Sequence, residues 1–117
     1  MIPGTYRFHG HNSLRYVYSN GKAARSHTAT IKWIANPHRS KSRIAVVVSK
    51  KVIKSAIGRN RVRRRIYEFM RHRLPSFNGV FDVVVIVSSN ELLTISGQEI
   101  SDQLSQLIDQ TNLLKQS

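Results

Sequence analysis

The chain has 117 residues, and its 19 lysines and arginines against six acids give a formal net charge of +13. This length allows one modest core, and this charge predicts a polyanionic partner, either nucleic acid or an anionic membrane. The lack of cysteine excludes disulfides and thiolate metal sites, and no apolar run approaches the ~18 residues of a membrane span. The N-terminus also lacks a signal-peptide pattern. We therefore expect one domain over residues 1–117, in a soluble, cytoplasmic protein with no membrane partner.

The charge is unevenly distributed along the chain. No acid precedes Glu68, whereas residues 74–117 contain five of the six acids and a single base, Lys115. This asymmetry predicts a basic working side and a near-neutral C-terminal support.

The N-terminal region is predicted to be an irregular leader, residues 1–12, followed by one short element. In that element Leu14, Val17 and Tyr18 share a face at helical spacing. Leu14, Tyr16 and Tyr18 also alternate as they would in a strand, so periodicity alone leaves helix and strand open. The histidines of the leader have no third partner nearby, and no metal site is predicted.

Three features beyond this element indicate a sheet. Residues 27–35 alternate between two faces, which carry Ala29, Ile31 and Trp33 on one side and Thr28, Thr30 and Lys32 on the other. Residues 43–49 are a β-branched run typical of a central strand with both faces covered, and residues 81–87 resemble them. Two such strands separated by a helix predict a βαβ unit with parallel pairing.

The C-terminal part is predicted to form one helix and a tail. Residues 96–99, Ser-Gly-Gln-Glu, are a capping box that opens a helix with an apolar stripe. Residues 113–117 are predicted to be a loose tail.

The helix between the two buried strands carries most of the positive charge. Its apolar stripe, at 3.6-residue spacing, predicts a face docked on the core and consists of Val62, Ile66, Phe69 and Met70. The opposite side and its flanks are expected to present Asn60, Arg61, Arg63, Arg64, Tyr67 and Arg71. Glu68 is the only acid of this helix, and it can pair with Arg64 or Arg71. Because arginine is the planar donor suited to phosphates, a nucleic-acid surface is favoured over an ordinary solvated face.

The start of this helix and the loop before it have a specific pattern. Ser49-Lys50-Lys51 is followed by Ala56-Ile57-Gly58-Arg59-Asn60-Arg61-Val62-Arg63-Arg64. This pattern resembles the signature of the bacterial ribonuclease P protein family, which is Ser-Lys-Lys, a short linker, and then Ala-x-x-Arg-Asn-Arg-x-(Lys/Arg)-Arg. The resemblance favours a helix for the first element. It implies an α+β fold, a single-domain α/β sandwich in the order helix, strands, basic helix, strand, helix, with one mixed sheet and a left-handed βαβ crossover.

The resemblance also implies a function, that of the protein subunit of ribonuclease P. This endoribonuclease removes the 5′ leader of precursor tRNA and so matures the tRNA 5′ end. In the family the RNA subunit performs metal-assisted hydrolysis, so catalysis and Mg²⁺ are expected in the RNA and not in this chain. The expected partners are ribonuclease P RNA and precursor tRNA, with a monomeric protein in a one-to-one ribonucleoprotein.

Two groups of residues are expected to bind these RNAs. The group for the catalytic RNA is Lys50, Lys51, Lys54, Arg59, Asn60, Arg61, Arg63, Arg64, Arg65, Tyr67 and Arg71. The group for the leader, in a cleft between the first helix and the sheet, is Leu14, Tyr18, Thr30 and Lys32. Stacking and apolar contacts in such a cleft tolerate any base, as a processing enzyme with many substrates requires.

The residues themselves provide no catalytic centre. His27, His38 and His72 lie in separate elements, and the basic half lacks the clustered carboxylates of a two-metal nuclease. A self-sufficient nuclease is therefore disfavoured. A ribosomal or general structural RNA-binding protein is the alternative, because only the Ser-Lys-Lys and Arg-Asn-Arg pattern argues against it.

Overall fold

The computed structural model describes residues 11–115. In chain order the elements are α1 (His11–Asn20), β1 (Lys22–Arg25), β2 (Ala29–Ala35), β3 (Arg43–Val47), α2 (Ala56–Arg73), β4 (Phe81–Val87), α3 (Glu91–Thr94) and α4 (Gly97–Ile108). A 3-10 turn, Leu74–Ser76, follows α2 directly. This order confirms the α+β fold predicted from the sequence.

The four strands form one mixed sheet in the order β1-β2-β4-β3. β2 pairs antiparallel with β1 and with β4, whereas β3 pairs parallel with β4 through the crossover helix α2. The predicted mixed sheet and βαβ unit are thus confirmed. The expectation that residues 43–49 form a central strand is wrong, because β3 lies at an edge of the sheet. Its apolar run reflects two covered faces and not two paired edges.

The two faces of the sheet are buried to different extents. The larger core lies under α2 and α4 and takes alternate strand residues, among them Ile31, Trp33, Ile44, Val46, Val83 and Val85. On the other face α1 contributes Val17, which is fully buried with Ala45 and Val84. Val47 and Ile86 on this second face are only partly buried. The side of the sheet under α1 therefore keeps an open, partly apolar surface.

The first element is a helix, as the resemblance predicts. It begins at His11, so the predicted irregular leader is wrong for its last two positions, and residues 1–10 lie outside the described part. The chain then turns tightly into β1 at Gly21. A Cβ atom there would lie 2.6 Å from the carbonyl oxygen of Val17 and 2.9 Å from that of Trp33, so only glycine fits.

The predicted loose tail is docked as far as the structure describes it. Leu113 is fully buried, and its carbonyl oxygen accepts a hydrogen bond of 2.6 Å from the N–H of Asn78. The N–H of Lys115 donates to the carbonyl oxygen of Ser76 at 2.8 Å. The tail prediction is therefore wrong for residues 113–115. A segment of so few residues has no periodic pattern from which its packing against the fold could be predicted.

Candidate nucleic-acid interface

The basic helix α2 starts at a capped and closely packed turn. The Ser55 hydroxyl accepts a hydrogen bond from the N–H of Gly58 at 3.2 Å. A Cβ at Gly58 would lie 2.9 Å from a methyl carbon of Ile53, which explains the glycine in the first turn. The predicted apolar stripe is confirmed, because all four of its members are buried, namely Val62, Ile66, Phe69 and Met70. Docking along this stripe leaves the outer side of α2 to solvent.

Five cations project from the loop before α2 and from the first half of the helix. They are Lys50, Lys51, Lys54, Arg61 and Arg64, and together they are termed the cationic cluster. All five are exposed, and none of their side chains forms a hydrogen bond or an ion pair with another residue of the described range 11–115. The first turn of α2 also carries no acid. Like charges gathered in this way repel one another until an anion neutralises them.

The Arg-Asn-Arg signature has a structural role besides its charge. Arg59 donates through Nη1 to the carbonyl oxygens of Ile53 at 3.0 Å and Lys54 at 2.8 Å. It therefore ties the lysine-bearing loop to the helix. Asn60 accepts a hydrogen bond from the guanidinium of Arg63, which is held along the helix surface. The RNA contacts predicted for Arg59, Asn60 and Arg63 stay predictions.

The guanidinium of Arg65 is bound to the segment around α3. Its Nη1 donates to the carbonyl oxygens of Leu92 at 2.9 Å and Leu93 at 3.2 Å, and its Nη2 donates to that of Ile95. A helix end leaves such carbonyls without internal partners. Burial, and then the positive charge of Arg61, lowers the pKa of Arg65 from its ordinary value. The structure therefore assigns Arg65 to the fold and gives no support to its predicted RNA contact.

The prediction that Tyr67 projects from the polar side of α2 is wrong. Tyr67 is only 9% exposed, and its hydroxyl accepts a hydrogen bond from the N–H of Val46 in the edge strand β3 at 3.3 Å. The buried face of α2 is wider than its apolar stripe, because the helix packs against β3 as well as against α3 and α4. Tyr67 therefore belongs to the core and not to an RNA surface.

Glu68 pairs toward the C-terminal end of α2. Its carboxylate lies 2.5 Å from Arg71 and 3.3 Å from the imidazole of His72. The hydrogen bond from Arg71 lowers the pKa of Glu68 to about 2. Of the two partners proposed for Glu68, the structure confirms Arg71 and leaves Arg64 in the cationic cluster. Arg71 stays exposed, and its contact with RNA stays a prediction.

The four residues predicted for the leader lie together between α1 and the sheet. Leu14 and Tyr18 come from α1, and Thr30 and Lys32 come from the side of β2 that faces α1. The Nζ atom of Lys32 lies 5.4 Å from the centroid of the Tyr18 ring and donates to the Tyr18 carbonyl oxygen at 3.3 Å. Tyr18 is 38% exposed, and burial of the rest raises the pKa of its hydroxyl. A cation and an aromatic ring thus meet at a surface that solvent reaches.

Sequence reasoning missed two residues of this surface. Ile86 in β4 pairs with Thr30 on one side and with Val47 on the other, and both aliphatic side chains are partly exposed. The apolar runs of β3 and β4 predict strands that are buried on both faces. Val47 and Ile86 are partly exposed because α1 covers only part of its face of the sheet. Trp33 lies on the opposite face, buried, with its indole N–H donating to Asn112 at 2.7 Å, as expected for a core residue.

Within residues 11–115, no three histidine or acidic side chains come together as they would around a metal ion. None of the helices in the same range has the length and apolar character needed to cross a membrane. An unpaired group of cations, together with a groove that offers an aromatic ring and aliphatic side chains, is suited to the backbone and the unstacked bases of nucleic acid. The fold and the two surfaces therefore define a small α+β protein of the nucleic-acid-binding class.

Comparison with known proteins identifies the family. The model of the Ribonuclease P family matches residues 2–112. The ribonuclease P protein component of Synechocystis sp. is 34% identical over 86 residues, which cover 74% of this chain and 69% of that protein. The corresponding protein of Pseudanabaena sp. is 28% identical over 118 residues and is covered to 97%, as is this chain. The chain belongs to the ribonuclease P protein family, as its Ser-Lys-Lys and Arg-Asn-Arg pattern predicts.

Solved structures show the same fold. The ribonuclease P protein of Staphylococcus aureus superimposes with a TM-score of 0.84 at 19% identity, over 94% of this chain and 98% of that one. The protein of Thermotoga maritima gives a TM-score of 0.78 at 22% identity, over 90% of this chain and 96% of that one. At these identities the likeness concerns the fold alone, and it confirms the predicted fold class.

Proposed function

We propose that this chain is the ribonuclease P subunit that binds the catalytic RNA through the cationic cluster and the 5′ leader of precursor tRNA through the cleft under α1. Through both contacts it promotes removal of the leader and maturation of the tRNA 5′ end. In this proposal hydrolysis belongs to the RNA subunit and its Mg²⁺ ions, and this chain contributes the contacts that bind and position the RNAs. The protein acts in the cytoplasm as one copy per RNA.

The observation that carries this proposal is the cationic cluster itself. Five exposed cationic side chains that have no partner within residues 11–115 can each neutralise a phosphate and release its counterion. Each such contact steepens the dependence of log K on log salt by about 0.9, so five contacts give a slope of about −4 to −5. A solvated face whose charges were already paired would give a much shallower slope.

The cleft under α1 supports the second half of the proposal. Tyr18 offers a part-exposed ring for stacking, Lys32 holds that ring and adds a charge, and Val47 and Ile86 provide an aliphatic floor. Stacking and apolar contact depend little on base identity, because every base has a π-face. The cleft is thus suited to leaders of varied sequence.

The test is single-turnover cleavage of a precursor tRNA by a bacterial ribonuclease P RNA at low magnesium, with and without this protein. We expect strong stimulation that is absent when either component is omitted. The double variant Arg61→Ala/Arg64→Ala should need more protein for the same stimulation. Its matched control, Lys22→Ala/Arg25→Ala, removes the same charge from the exposed edge strand β1 and should behave as the wild type.

Two results would contradict the proposal. Tight RNA binding without stimulation would favour a ribosomal or general structural RNA-binding protein. Cleavage by the protein alone would indicate a self-sufficient nuclease. The family assignment disfavours a ribosomal protein. The lack of an acid–base set in the sequence disfavours a self-sufficient nuclease.

A further inference from the structure

Three members of the cationic cluster stand on a loop and not on a helix or a strand. Lys50, Lys51 and Lys54 lie between the end of β3 and the start of α2, and residues 50–54 are termed the lysine loop. Their like charges repel one another, so they cannot themselves hold the loop in one shape. The arrangement of these charges therefore depends on the contacts made by the rest of the loop.

The first part of the lysine loop is fixed by a turn and by one buried side chain. The carbonyl oxygen of Ser49 accepts hydrogen bonds from the N–H of Val52 at 3.2 Å and from the N–H of Ile53 at 3.1 Å. The side chain of Ile53 is buried in the larger core and lies against Gly58 in the first turn of α2. These contacts hold the turn that carries Lys50 and Lys51.

The end of the lysine loop is held by Arg59. Its Nη1 atom donates to two successive carbonyl oxygens, those of Ile53 and Lys54, which directly precede the capping residue Ser55. The side chain of Arg59 spans back over the first turn of α2 to reach them, and the residue is half-buried. Arg59 thus joins the helix to the part of the loop that bears Lys54.

The position of Arg59 is a costly one for a cation unless it has such partners. The start of a helix is the positive end of its macrodipole, and α2 has no acid in its first turn. Two carbonyl oxygens offset this cost for Arg59. Arg61, which lies only two residues further on, is exposed instead and makes no such bond within the described residues. The two arginines of the Arg-Asn-Arg pattern are therefore placed for different tasks.

We propose that Arg59 is a positioning residue, which holds the lysine loop in a fixed arrangement relative to the exposed arginines of α2. It supports RNA affinity through the three lysines and not through a phosphate of its own. This inference rests on the proposed function, because it explains how the cationic cluster keeps its shape before RNA binds. A surface ordered in advance loses little conformational entropy on binding. Ordering one freed backbone residue would lower affinity by a factor of about 5 to 30.

The test places Arg59→Ala in two chains, one with the natural lysine loop and one in which its three lysines are alanine. Affinity for ribonuclease P RNA is measured over a range of salt concentrations. With the natural loop we expect a loss of about 5- to 30-fold. In the lysine-free chain the same substitution should leave both affinity and salt slope almost unchanged, because no charges remain to be positioned.

Arg61→Ala is the matched control, since it removes the same charge from the same helix. It should lower affinity about fivefold at ~0.15 M salt and flatten the salt slope by about 0.9 in both chains. Amide hydrogen exchange of the free protein provides a readout without RNA. Exchange at Val52 and Ile53 should be faster in Arg59→Ala than in the wild type or in Arg61→Ala. Circular dichroism melts check folding, and if Arg59→Ala does not fold, Arg59→Lys replaces it, because lysine keeps the charge but lacks the planar fork.

The proposal is overturned if Arg59→Ala still costs about fivefold and flattens the slope by about 0.9 in the lysine-free chain, because Arg59 would then bind a phosphate directly. Unchanged affinity with the natural loop, or unchanged exchange at the loop amides, would overturn it as well. Failure of the proposed function looks different, because the wild-type protein itself would then fail to stimulate cleavage.

Discussion

Arg61 and Arg65 lie four residues apart on α2, and replacing each by alanine should separate RNA binding from stability. Arg61→Ala removes an exposed guanidinium that has no hydrogen bond to the part of the chain that the structure describes. We expect affinity for ribonuclease P RNA to fall about fivefold at ~0.15 M salt, with a slope flatter by about 0.9. The free energy of unfolding should change by less than about 0.5 kcal/mol, as for other exposed substitutions.

Arg65→Ala should have the opposite effect. It removes the hydrogen bonds from a charged donor to the carbonyl oxygens of Leu92, Leu93 and Ile95. A single bond of this kind contributes about 1.5 to 3 kcal/mol, and water replaces part of it because the site is only half-buried. We expect a total loss of about 2 to 3 kcal/mol and a Tm lower by roughly 10 °C, with the salt slope unchanged.

Urea unfolding followed by circular dichroism measures the free energy of unfolding. Fluorescence anisotropy with labelled ribonuclease P RNA measures RNA affinity and its salt slope. Arg65→Lys is the matched variant, because it keeps the charge but cannot reach three carbonyl oxygens with a planar fork. It should be destabilised while its salt slope stays that of the wild type. The reasoning is refuted if Arg65→Ala unfolds like the wild type yet flattens the salt slope by about 0.9, because Arg65 would then be an RNA contact.

Four further substitutions test individual assignments. Tyr18→Ala should weaken binding of precursor tRNA but not of mature tRNA in the assembled ribonucleoprotein, and equal losses would place Tyr18 in the fold instead of the leader cleft. Tyr67→Phe should lower the free energy of unfolding by about 1 kcal/mol without changing RNA affinity, and the reverse pattern would return Tyr67 to the RNA surface. The pKa of Glu68 is lowered from 4.5 to about 2 in the folded protein, mainly by the hydrogen bond from Arg71. The ion pair of Glu68 therefore stabilises the fold at pH values above 4.5, and this stabilisation is lost as the pH falls from 4.5 toward 2. Thermal melts across that window should therefore show a steeper loss for the wild type than for Glu68→Gln, and parallel curves would contradict this. Arg43→Ala leaves the buried Asp82 carboxylate without its cationic partner and should cost about 3 to 5 kcal/mol in urea unfolding. A failure of Asp82→Asn to restore part of that loss would show that the ion pair is not its cause.

The parts of the fold that sequence predicted are those that local periodicity encodes. The capping box is an example, because Ser96 does accept a hydrogen bond from the N–H of Glu99 at 3.1 Å. The stripe of α2 and the alternation of β2 were likewise visible within a few turns or residues of chain. Local patterns fix which face of an element is buried.

The parts that sequence missed depend on partners far away in the chain. The hydroxyl of Tyr67 meets an N–H 21 residues earlier, and the guanidinium of Arg65 meets carbonyl oxygens 27 to 30 residues later. No periodicity links such positions. An arginine that hydrogen-bonds to the fold and an arginine that is exposed for RNA binding therefore have the same appearance in sequence. The edge position of β3 was missed for the same reason, since strand order is a property of the whole sheet.

The arginine side chains of α2 point toward different partners, and this explains how the helix combines stability with binding. The helix contains seven arginines, and five of them hydrogen-bond to groups of the protein itself: Arg59, Arg63, Arg65, Arg71 and Arg73. Arg73 also lies over the ring of Phe69, with its central guanidinium carbon 4.4 Å from the ring centroid. Only Arg61 and Arg64 have no such bond within the described residues, and both belong to the cationic cluster.

This division limits the repulsion that a net charge of +13 would otherwise impose on a single small core. Guanidinium groups that hydrogen-bond to carbonyl oxygens, a carboxylate or a hydroxyl stabilise the folded chain, because these partners are present whether or not RNA is bound. The repulsion that RNA must relieve is then concentrated at the start of α2 and in the loop that Arg59 ties to it. Arginine serves both purposes because its planar fork of N–H groups can donate either to a backbone carbonyl oxygen or to a phosphate. The charge of α2 is therefore better understood from the partners of each arginine than from its sum.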